Sequence, residues 1–239
     1  MGALVIGRSN ARYWTEQMSF PADRLFWAPY SVDNAYFERE SARWRPEREA
    51  VKTRWRIGGR RVILFVGRLE KVKGLSCLLR AYSRLRKHRS DAALVLAGEG
   101  SLRAWVERVV SEEGIPNVVL AGFMQQEEIP RAYAAADVFV LPSEEEPWGL
   151  VVNEAMASGL PVVVSDRVGA WVDLVRDGEN GYVTPAGDAA VLAEAMERVL
   201  SGDAHAMGER SRRMVQNHSI ELEAKGFIKA FQAVEEGRL

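Results

Sequence analysis

From residue 61 to residue 200, short apolar runs alternate with longer stretches in which apolar residues recur every three or four positions. This alternation predicts β-strands separated by helices. The strand runs are continuously apolar, which is typical of strands buried on both faces. We therefore predict an α/β domain with a doubly wound, Rossmann-like parallel sheet. Its predicted strands are 62–66, 92–97, 118–121, 138–141 and 161–165, followed by an extended segment at 182–184.

Helical spacing fills the intervals between these strands, and a last helical stretch follows the α/β pattern. The predicted helices are 75–87, 101–113, 127–135, 149–158, 171–176, 189–200 and 220–235. Ser101 is the expected N-cap of the second, and Gly114 and Gly159 are expected helix stops. In such a fold, ligands bind at the carboxyl ends of the strands, where this sequence places its glycines and charges.

The first 60 residues do not follow this pattern, and they hold too little apolar sequence for a domain. They carry one short apolar run, 3–6, and then an aromatic-rich stretch to Phe37. A basic series follows, which we expect to be mainly a solvated face, with contact to anionic lipid or to a partner domain as the alternative. Its members are Arg39, Arg43, Arg45, Arg48, Lys52, Arg54, Arg56 and Arg60.

Composition narrows the functional classes. The 239 residues are 47% hydrophobic and 27% charged with a net charge of -1, an ordinary globular mixture that gives no electrostatic case for nucleic acid. The single cysteine, Cys77, suits a reducing cytosol and a packing role. The three histidines show no metal-ligand spacing, so we predict no structural zinc. No apolar run approaches the roughly 20 residues that span a bilayer.

The segment Gly67-Arg-Leu-Glu-Lys-Val-Lys-Gly74 directly follows the first predicted strand. A glycine at a strand end lets a ligand approach the backbone, and Arg68 and Lys73 are suited to holding a diphosphate. A basic surface turn is the alternative. The segment lacks the G-x-x-x-x-G-K-[ST] pattern of a P-loop.

The segment Gly98-Glu-Gly100-Ser-Leu-Arg103 begins like the dinucleotide fingerprint. Arg103 stands where the third glycine belongs, and the segment follows the second strand instead of the first. We interpret it as a tight turn that borders a nucleotide.

The segment 142–161 runs from a strand through an acidic loop into a helix that begins near Gly149. A helix start offers free N–H groups and a positive dipole end, which suit a phosphate. Glu146 precedes the helix and Glu154 lies two turns along it, so their carboxylates could accept hydrogen bonds from the hydroxyls of a sugar and of a ribose. A solvated acidic run at 144–146 is the alternative.

Together these segments resemble the donor-binding domain of glycosyltransferase family 4, the group 1 retaining transferases of the GT-B fold. The matching pieces occur in family order between residues 61 and 182, and Glu146 to Glu154 matches the family's E-x7-E motif. The stretch from Asn10 to Phe37 is similar to the crossover from the acceptor domain. The matching pieces are G-R-L-x-x-x-K-G, A-G-E-G, A-G-F, P-S-x-x-E-P-W-G-L-x-x-x-E-A-M-A-S-G-L-P-V-V and D-L-V-x-D-G-x-N-G-Y.

The resemblance implies a role for each matching residue. Arg68 and Lys73 would bind the donor diphosphate, Glu146 the donor sugar and Glu154 the ribose. The N–H groups of Gly149, Leu150 and Val151 would meet the distal phosphate, and the turn holding Phe123 and Met124 would border the base. The catalytic set is then Arg68, Lys73 and Glu146, and the donor-binding set adds Gly67, Gly98, Phe123, Met124, Gly149, Leu150, Val151 and Glu154.

The resemblance also implies a domain plan and partners. Residues 1–60 would be a remnant of the acceptor domain with its crossover, 61–205 the nucleotide-sugar domain, and 206–239 helices that return to the acceptor domain. Since family members carry a whole domain before the crossover, we expect this chain to be the donor half of such an enzyme and inactive alone. It would act in the cytoplasm, with possible peripheral contact to the inner face of the membrane, on a UDP or GDP sugar, with no metal or cofactor. The acceptor would be a carbohydrate, a lipid-linked sugar or a small molecule.

Three other functions stay open at this point. A non-catalytic nucleotide-sugar-binding module would gain no activity from an added acceptor domain. A nicotinamide dehydrogenase would bind NAD, although the incomplete glycine fingerprint argues against it. Another GT-B enzyme, such as a nucleotide-sugar epimerase, is opposed only weakly by the Glu146–Glu154 spacing.

Overall fold

The computed structural model describes residues 1–238. Its strands are β1 Ala3–Val5, β2 Leu25–Trp27, β3 Arg61–Val66, β4 Ala92–Ala97, β5 Val118–Gly122, β6 Val138–Leu141, β7 Val162–Ser165 and β8 Gly181–Thr184. They form two parallel sheets, one of β1 and β2 and one of six strands in the order β5-β4-β3-β6-β7-β8. The doubly wound α/β prediction is thereby confirmed. The extended segment expected at 182–184 is β8, which forms one edge of the six-stranded sheet.

Helices cover both faces of the larger sheet and extend beyond it at both ends of the chain. The first of them is the short helix Arg8–Arg12, which continues directly into a π-helical turn, Tyr13–Gln17. The α-helices are α1 Arg8–Arg12, α2 Asn34–Trp44, α3 Arg48–Arg54, α4 Leu75–Leu85, α5 Arg103–Glu112, α6 Ile129–Ala135, α7 Leu150–Ala157, α8 Trp171–Leu174, α9 Ala189–Ser201, α10 Ala204–Val215 and α11 Ile220–Glu235. Within the described residues, none of these helices has the length and apolar content needed to cross a bilayer.

The core confirms the periodicity from which the helices were predicted. In α4 the positions 75, 78, 79, 82 and 85 are all buried, and every residue of β4 and β6 is buried as well. The largest polar side chain of α4 is hydrogen-bonded inside the core, since the Tyr82 hydroxyl lies within donating distance of the carbonyls of Ala92 at 3.2 Å and Pro116 at 3.1 Å.

Helix ends follow local capping chemistry, with one correction. Aspartates cap α9 and α10, where Asp188 accepts from the Ala190 N–H at 3.0 Å and Asp203 from the Ala206 N–H at 2.9 Å. Ser101 was expected to cap α5, but its N–H and hydroxyl both donate to Glu70, and the helix begins two residues later. The tight turn after β4 turns Ser101 towards the neighbouring loop.

The stop predicted at Gly159 has the geometry expected of it. Helix α7 ends at Ala157, and Gly159 has a φ of +77°, the left-handed conformation in which glycine ends helices.

The first 60 residues divide between two structural environments. Strands β1 and β2 pack with α11, where Gly226 comes so close to β2 that a Cβ atom would lie 2.1 Å from the Trp27 carbonyl oxygen. Helix α2 instead packs on α6 and α7, and α3 packs on α6. Phe37 of α2 and Ile57, which follows α3, join the main core, and Val51 of α3 is also buried.

This packing corrects the expectation of a solvated basic face for three of its eight residues, whereas Arg39, Arg43, Arg54 and Arg56 are exposed as expected. Lys52 is 3% exposed, and its ammonium lies 4.0 Å from a carboxylate oxygen of Asp137. Arg48 donates to the other carboxylate oxygen of Asp137 at 3.0 Å, and Arg45 donates to the Ser158 carbonyl at 2.8 Å. These three basic residues reach inward because the ends of α6 and α7 offer buried acceptors.

The strand order places a topological switch between β3 and β6. From β3 the chain winds outward through β4 and β5, and it returns to the other side of β3 to continue through β6, β7 and β8. In open α/β sheets, ligands bind at the carboxyl ends of the strands at this point.

Candidate functional site

The loops that follow β3 and β6 meet at the switch point and are bonded to each other. The Glu144 N–H donates to the Val72 carbonyl at 2.7 Å. Beside this bond, Gly74 has a φ of +69°, and a Cβ atom there would lie 2.0 Å from the Pro142 carbonyl oxygen. Only glycine tolerates both the positive φ and the close approach of Pro142. Gly74, the last residue of the segment 67–74, therefore sets the distance between the two loops.

Across this junction, Lys73 and Glu146 form an ion pair and hydrogen bond. Their side chains are 15% and 13% exposed. The Glu146 backbone is fixed on its other side, where its N–H donates to the Arg167 carbonyl at 3.2 Å and its carbonyl accepts from the Gly169 N–H at 2.8 Å. This enclosure argues against the two alternatives, a basic surface turn for Lys73 and a solvated acidic run for Glu146.

Helix α7 begins immediately beyond this pair. Gly149 has a φ of +96°, and a Cβ atom there would lie 3.3 Å from the Glu146 Cγ atom. The first N–H groups of a helix have no acceptor within the helix, and here they belong to Leu150 and Val151. The structure therefore brings the helix start next to Glu146, and Leu150 is 40% exposed there.

Glu154 lies further along α7, where its carboxylate accepts a hydrogen bond from the Tyr133 hydroxyl of α6 at 2.7 Å. Burial raises the pKa of Glu154 to about 7, and the tyrosine donor opposes this rise without cancelling it. Burial and the neighbouring carboxylate raise the pKa of Tyr133 well above its usual value, so the phenol stays protonated as the donor. Glu154 therefore exchanges its proton near neutral pH.

The turns after β3 and β4 are in backbone contact. Gly98 has a φ of +148°, and a Cβ atom there would lie 1.9 Å from the Gly67 carbonyl oxygen. The Gly67 N–H donates to the Ala97 carbonyl at 3.0 Å, and the Gly98 N–H donates to the Gly122 carbonyl at 2.8 Å. The ends of three strands are thus joined without intervening side chains.

A cavity of about 250 Å³ opens over these turns. It collects five of the predicted site residues, Gly67, Arg68, Gly98, Phe123 and Met124. Phe123 is 66% exposed, which is unusual for a phenylalanine and leaves its ring open to a planar ligand. Arg68 is exposed and forms no ion pair among residues 1–238, so its guanidinium is available to a ligand in this cavity.

The predicted residues therefore form two adjoining groups on one sheet edge. One is the cavity over the glycine turns, and the other is the Lys73–Glu146 pair with the start of α7. Sequence reasoning missed Tyr133, which holds Glu154. The only available signal was that Tyr133 is a hydroxyl-bearing residue in a mainly apolar short helix. Tyrosines packed in an ordinary core show the same pattern, so this signal does not identify a site residue.

A wider groove of about 750 Å³ lies between α4 and α9. Its lining includes Arg84 and His88, at the opposite end of α4 from the turn that carries Lys73. It is thus remote from the switch point, and we do not assign it to the site.

Within residues 1–238, no three acidic, histidine or cysteine side chains lie close enough together to hold a metal ion. The charged groups of the site are cations and single carboxylates, which suit an anionic ligand better than a bare cation.

Comparisons with known proteins identify the family and the fold. Residues 47–219 match the family model described as Glycosyl transferases group 1. An alpha-D-kanosaminyltransferase of Streptomyces kanamyceticus is 30% identical over 198 residues, which cover 82% of this chain and 49% of that protein. An uncharacterized glycosyltransferase of Methanocaldococcus jannaschii is 39% identical over 142 residues, which cover 59% of this chain and 36% of that protein.

Among solved structures, a glycosyltransferase from Rickettsia africae superimposes with a TM-score of 0.85 at 20% identity. The match covers 98% of this chain and 63% of that one, and at this identity it is a likeness of fold. The chain spans between about a third and a half of the length of the two curated relatives described above.

Proposed function

Because this chain belongs to the group 1 glycosyltransferases, we propose that it carries the donor-binding half of an enzyme that transfers a sugar from a nucleoside diphosphate to an acceptor hydroxyl. The observation that carries the proposal is the meeting of Lys73 and Glu146 at the switch point, beside the start of α7. A cation, a carboxylate and free helix N–H groups together match a diphosphate joined to a polyhydroxyl group. Assignment to family 4 within the group stays a prediction.

In this proposal the two groups of site residues divide the donor. The cavity with Phe123 and Met124 receives the base, and Gly67 and Gly98 let the backbone approach the nucleotide. Arg68 and Lys73 hold the diphosphate, whose distal phosphate also meets the N–H groups at 149–151. Glu146 accepts hydrogen bonds from sugar hydroxyls, which displaces Lys73 from its present partner and leaves the ammonium to the phosphate.

The proposed chemistry depends on where charge develops. The bond between the anomeric carbon and the diphosphate oxygen breaks, and its electron pair stays on that oxygen. The acceptor oxygen bonds to the carbon, and its proton passes to water or to the departing diphosphate. Negative charge therefore grows on the leaving diphosphate. Because Arg68, Lys73 and the start of α7 are already placed there, they stabilise the transition state more than the bound donor. Retention of configuration is what the family resemblance implies.

Glu154 is proposed to hold the ribose through its carboxylate. A vicinal diol donates hydrogen bonds, so the ionised form of Glu154 is the competent one. Its pKa of about 7 makes this form half populated near neutral pH, and donated ribose bonds would lower that pKa. Donor binding and proton release are then linked.

The acceptor-binding domain is a proposed partner, supported by an apolar face next to the β1–β2 sheet. A cavity of about 310 Å³ lies there, lined by residues of β1, β2 and α11 such as Leu4, Phe26 and Phe227. Phe231 and Val234 of α11 are 68% and 60% exposed on the same side. The division at residues 60 and 205, independence from metals, a cytoplasmic location with peripheral membrane contact, and the nature of the acceptor all stay predictions.

The test of donor binding is thermal denaturation of the chain with UDP, GDP, ADP and their common sugar conjugates. A ligand at about 100 times its Kd stabilises the folded state by about 2.7 kcal/mol, which raises Tm by roughly 5–10 °C for a domain of this size. We expect one base to give such a shift and Lys73→Ala to reduce it by about half or more.

Lys71→Ala is the matched control, since Lys71 is an exposed lysine in the same turn and its replacement should leave the shift intact. A shift with NAD and none with any nucleoside diphosphate would instead favour the dehydrogenase. If a diphosphate binds but adding the acceptor domain of a group 1 relative produces no sugar transfer, the chain is better described as a binding module.

A further inference from the structure

A second polar cavity, of about 300 Å³, lies at the amino edge of the six-stranded sheet, opposite the proposed donor site. The starts of β3, β6 and β7 converge there with the first turn of α10. Its lining is rich in basic side chains, with few apolar ones. The lining residues used below are Arg45, Arg48, Arg61, Asp137, Ala204 and His205.

Arg45 is the least satisfied of these cations. Its guanidinium donates to the Ser158 carbonyl at 2.8 Å, and it forms no ion pair with a carboxylate among residues 1–238. Burial lowers the pKa of Arg45, and the positive charges of Arg212 and Arg48 lower it further. Three guanidinium groups, those of Arg45, Arg48 and Arg61, line the same hollow, and their mutual repulsion favours a shared anion.

The other cations are only partly neutralised. Arg48 and Arg61 approach the same carboxylate oxygen of Asp137, at 3.0 Å and 3.3 Å, and Lys52 lies 4.0 Å from the second oxygen. The single carboxylate of Asp137 is thus shared by three cations. The Nε atom of Arg48 is buried and has no hydrogen-bond partner, and the Nε atom of Arg61, although in the ion pair with Asp137, does not form a hydrogen bond.

Arg212 approaches from α10 on the far side. It pairs with Glu209, but its Nε atom is also buried without a partner, and its guanidinium lies against Gly159. In and around the cavity, counting Lys52 and its second partner Glu49, there are five cations and four carboxylates. The cations are Arg45, Arg48, Lys52, Arg61 and Arg212, and the carboxylates are Glu49, Asp137, Asp203 and Glu209.

The first turn of α10 adds to the positive character of the cavity. Ala204 and His205 open this helix at the cavity wall, and the positive end of the helix dipole is located there. Asp203 is occupied as the helix cap, with its carboxylate accepting from the Ala206 N–H. The surplus positive charge is therefore centred on Arg45.

We infer that this amino-edge cavity is a binding site for a phosphate-class oxyanion, held by Arg45, Arg48 and Arg61 against the start of α10. The volume equals roughly ten water molecules at about 30 Å³ each, which exceeds the need of a phosphate alone and admits a small phosphomonoester. Arginine suits this role because its planar fork donates two parallel hydrogen bonds to phosphate oxygens. The inference is independent of the proposed donor site, which lies at the other edge of the sheet.

The test is isothermal titration of the chain with inorganic phosphate and, separately, with glycerol 3-phosphate at constant ionic strength. Both titrations use the Lys73→Ala background, so that phosphate binding at the proposed donor site does not contribute. We expect one saturable site, and a roughly tenfold or greater loss of affinity in Arg45→Gln, the loss typical of one hydrogen bond to a charged group. Tighter binding of either ligand identifies free phosphate or a phosphomonoester as the natural ligand class.

Two further variants keep the test decisive if Arg45→Gln fails to fold. Ala204→Glu places a carboxylate in the cavity at a helix start that tolerates negative charge, and Ala204→Gln adds nearly the same volume without the charge. We expect Ala204→Glu to abolish phosphate binding while Ala204→Gln lowers it less. Arg43→Gln, at a side chain that is 75% exposed outside the cavity, should leave affinity unchanged. Absence of saturable binding in the Lys73→Ala background, or equal affinities in all folded variants, would overturn the inference.

Discussion

The two edges of the six-stranded sheet hold their charges in different ways. At the carboxyl edge, Lys73 and Glu146 pair one to one, and the strand ends are joined by glycine turns with backbone contacts. At the amino edge, Asp137 is shared by three cations, and Arg45 has only a carbonyl partner. Both edges are partly buried, so solvent exposure alone does not explain the difference.

This contrast separates two functions of buried charge. The amino-edge cations connect different parts of the chain, since Arg48 and Lys52 of α3 reach Asp137 at the start of β6. The carboxyl-edge pair joins two loops that already share backbone contacts. We therefore expect charge removal at the amino edge to affect folding most, and charge removal at the carboxyl edge to affect ligand binding most.

The largest effect is expected from the carboxyl-edge backbone, with Gly98→Ala. The new Cβ atom would lie 1.9 Å from the Gly67 carbonyl oxygen, at a φ of +148°. Because the obstacle is backbone, two strand ends must separate, and we expect a loss of roughly 3–5 kcal/mol in the free energy of unfolding. Urea denaturation measures it.

Gly159→Ala at the amino edge is the matched control. There the new Cβ atom would meet the guanidinium of Arg212, with its Nη2 atom at 2.4 Å, and that long side chain can move away. Only the strain of the left-handed φ remains, about 1–2 kcal/mol. Equal losses in both variants would show that the Gly67–Gly98 contact is not a rigid part of the site.

The next effect concerns the shared carboxylate, with Asp137→Asn. The amide oxygen can still accept the Val62 N–H, which Asp137 binds at 2.7 Å, but Arg48 and Arg61 lose their counter-charge. Leaving buried charges unpaired costs about 3 kcal/mol. Asp91→Asn, at a half-exposed side chain paired with Arg89, should cost less than about 1 kcal/mol in the same urea series. Similar small losses at both positions would remove the distinction between the edges.

The sequence predicted the carboxyl edge better than the amino edge, for physical reasons. Strand burial and the glycine turns are local properties, so the six strands and the site loops followed from apolar runs and from Gly67, Gly74 and Gly98. The pairing of Lys73 with Glu146 could not be predicted, since it depends on the separation of two loops that are 73 residues apart in sequence.

The amino edge depends on contacts between distant segments. Arg45 and Lys52 belong to a basic series that has the composition of a solvated face, and their acceptors, Ser158 and Asp137, are about 100 residues away. Nothing in the local pattern shows that α3 turns its basic side chains inward. Tyr133 was missed for the same reason, because its only distinguishing contact is with Glu154 on another helix.

A smaller effect is expected in the pH dependence of stability, through Glu154. Its folded-state pKa of about 7 lies above the value of 4.5 expected for an unfolded chain, so the folded state holds the proton more tightly. The stabilisation that the folded state gains by binding this proton is full below pH 4.5 and is lost as the pH rises to about 7. Wild type should lose about 2 kcal/mol relative to Glu154→Gln between pH 5 and pH 8, measured by urea denaturation.

Glu145→Gln is the control, since this neighbouring glutamate is exposed and its variant should follow the wild-type pH profile. Nucleoside diphosphate affinity should rise over the same range if the ionised carboxylate holds the ribose. Parallel stability profiles for wild type and Glu154→Gln would contradict the burial argument, and a flat affinity profile would contradict the ribose role alone.

The smallest effect on stability is expected at Lys73 and Glu146 themselves. Each single replacement by alanine leaves one partly enclosed charge without its partner and should cost about 1–2 kcal/mol, while the double replacement should cost no more than either single one. The more exposed pair Glu99–Arg103, with side chains 44% and 38% exposed, should show a coupling below about 0.5 kcal/mol in the same double-mutant cycle. In contrast to this small effect on folding, Lys73→Ala should lower nucleoside diphosphate affinity by at least roughly tenfold. A loss of stability of 3 kcal/mol or more with unchanged nucleotide affinity would make the pair a structural element, like Asp137 and its cations, and would move the proposed donor site away from the switch point.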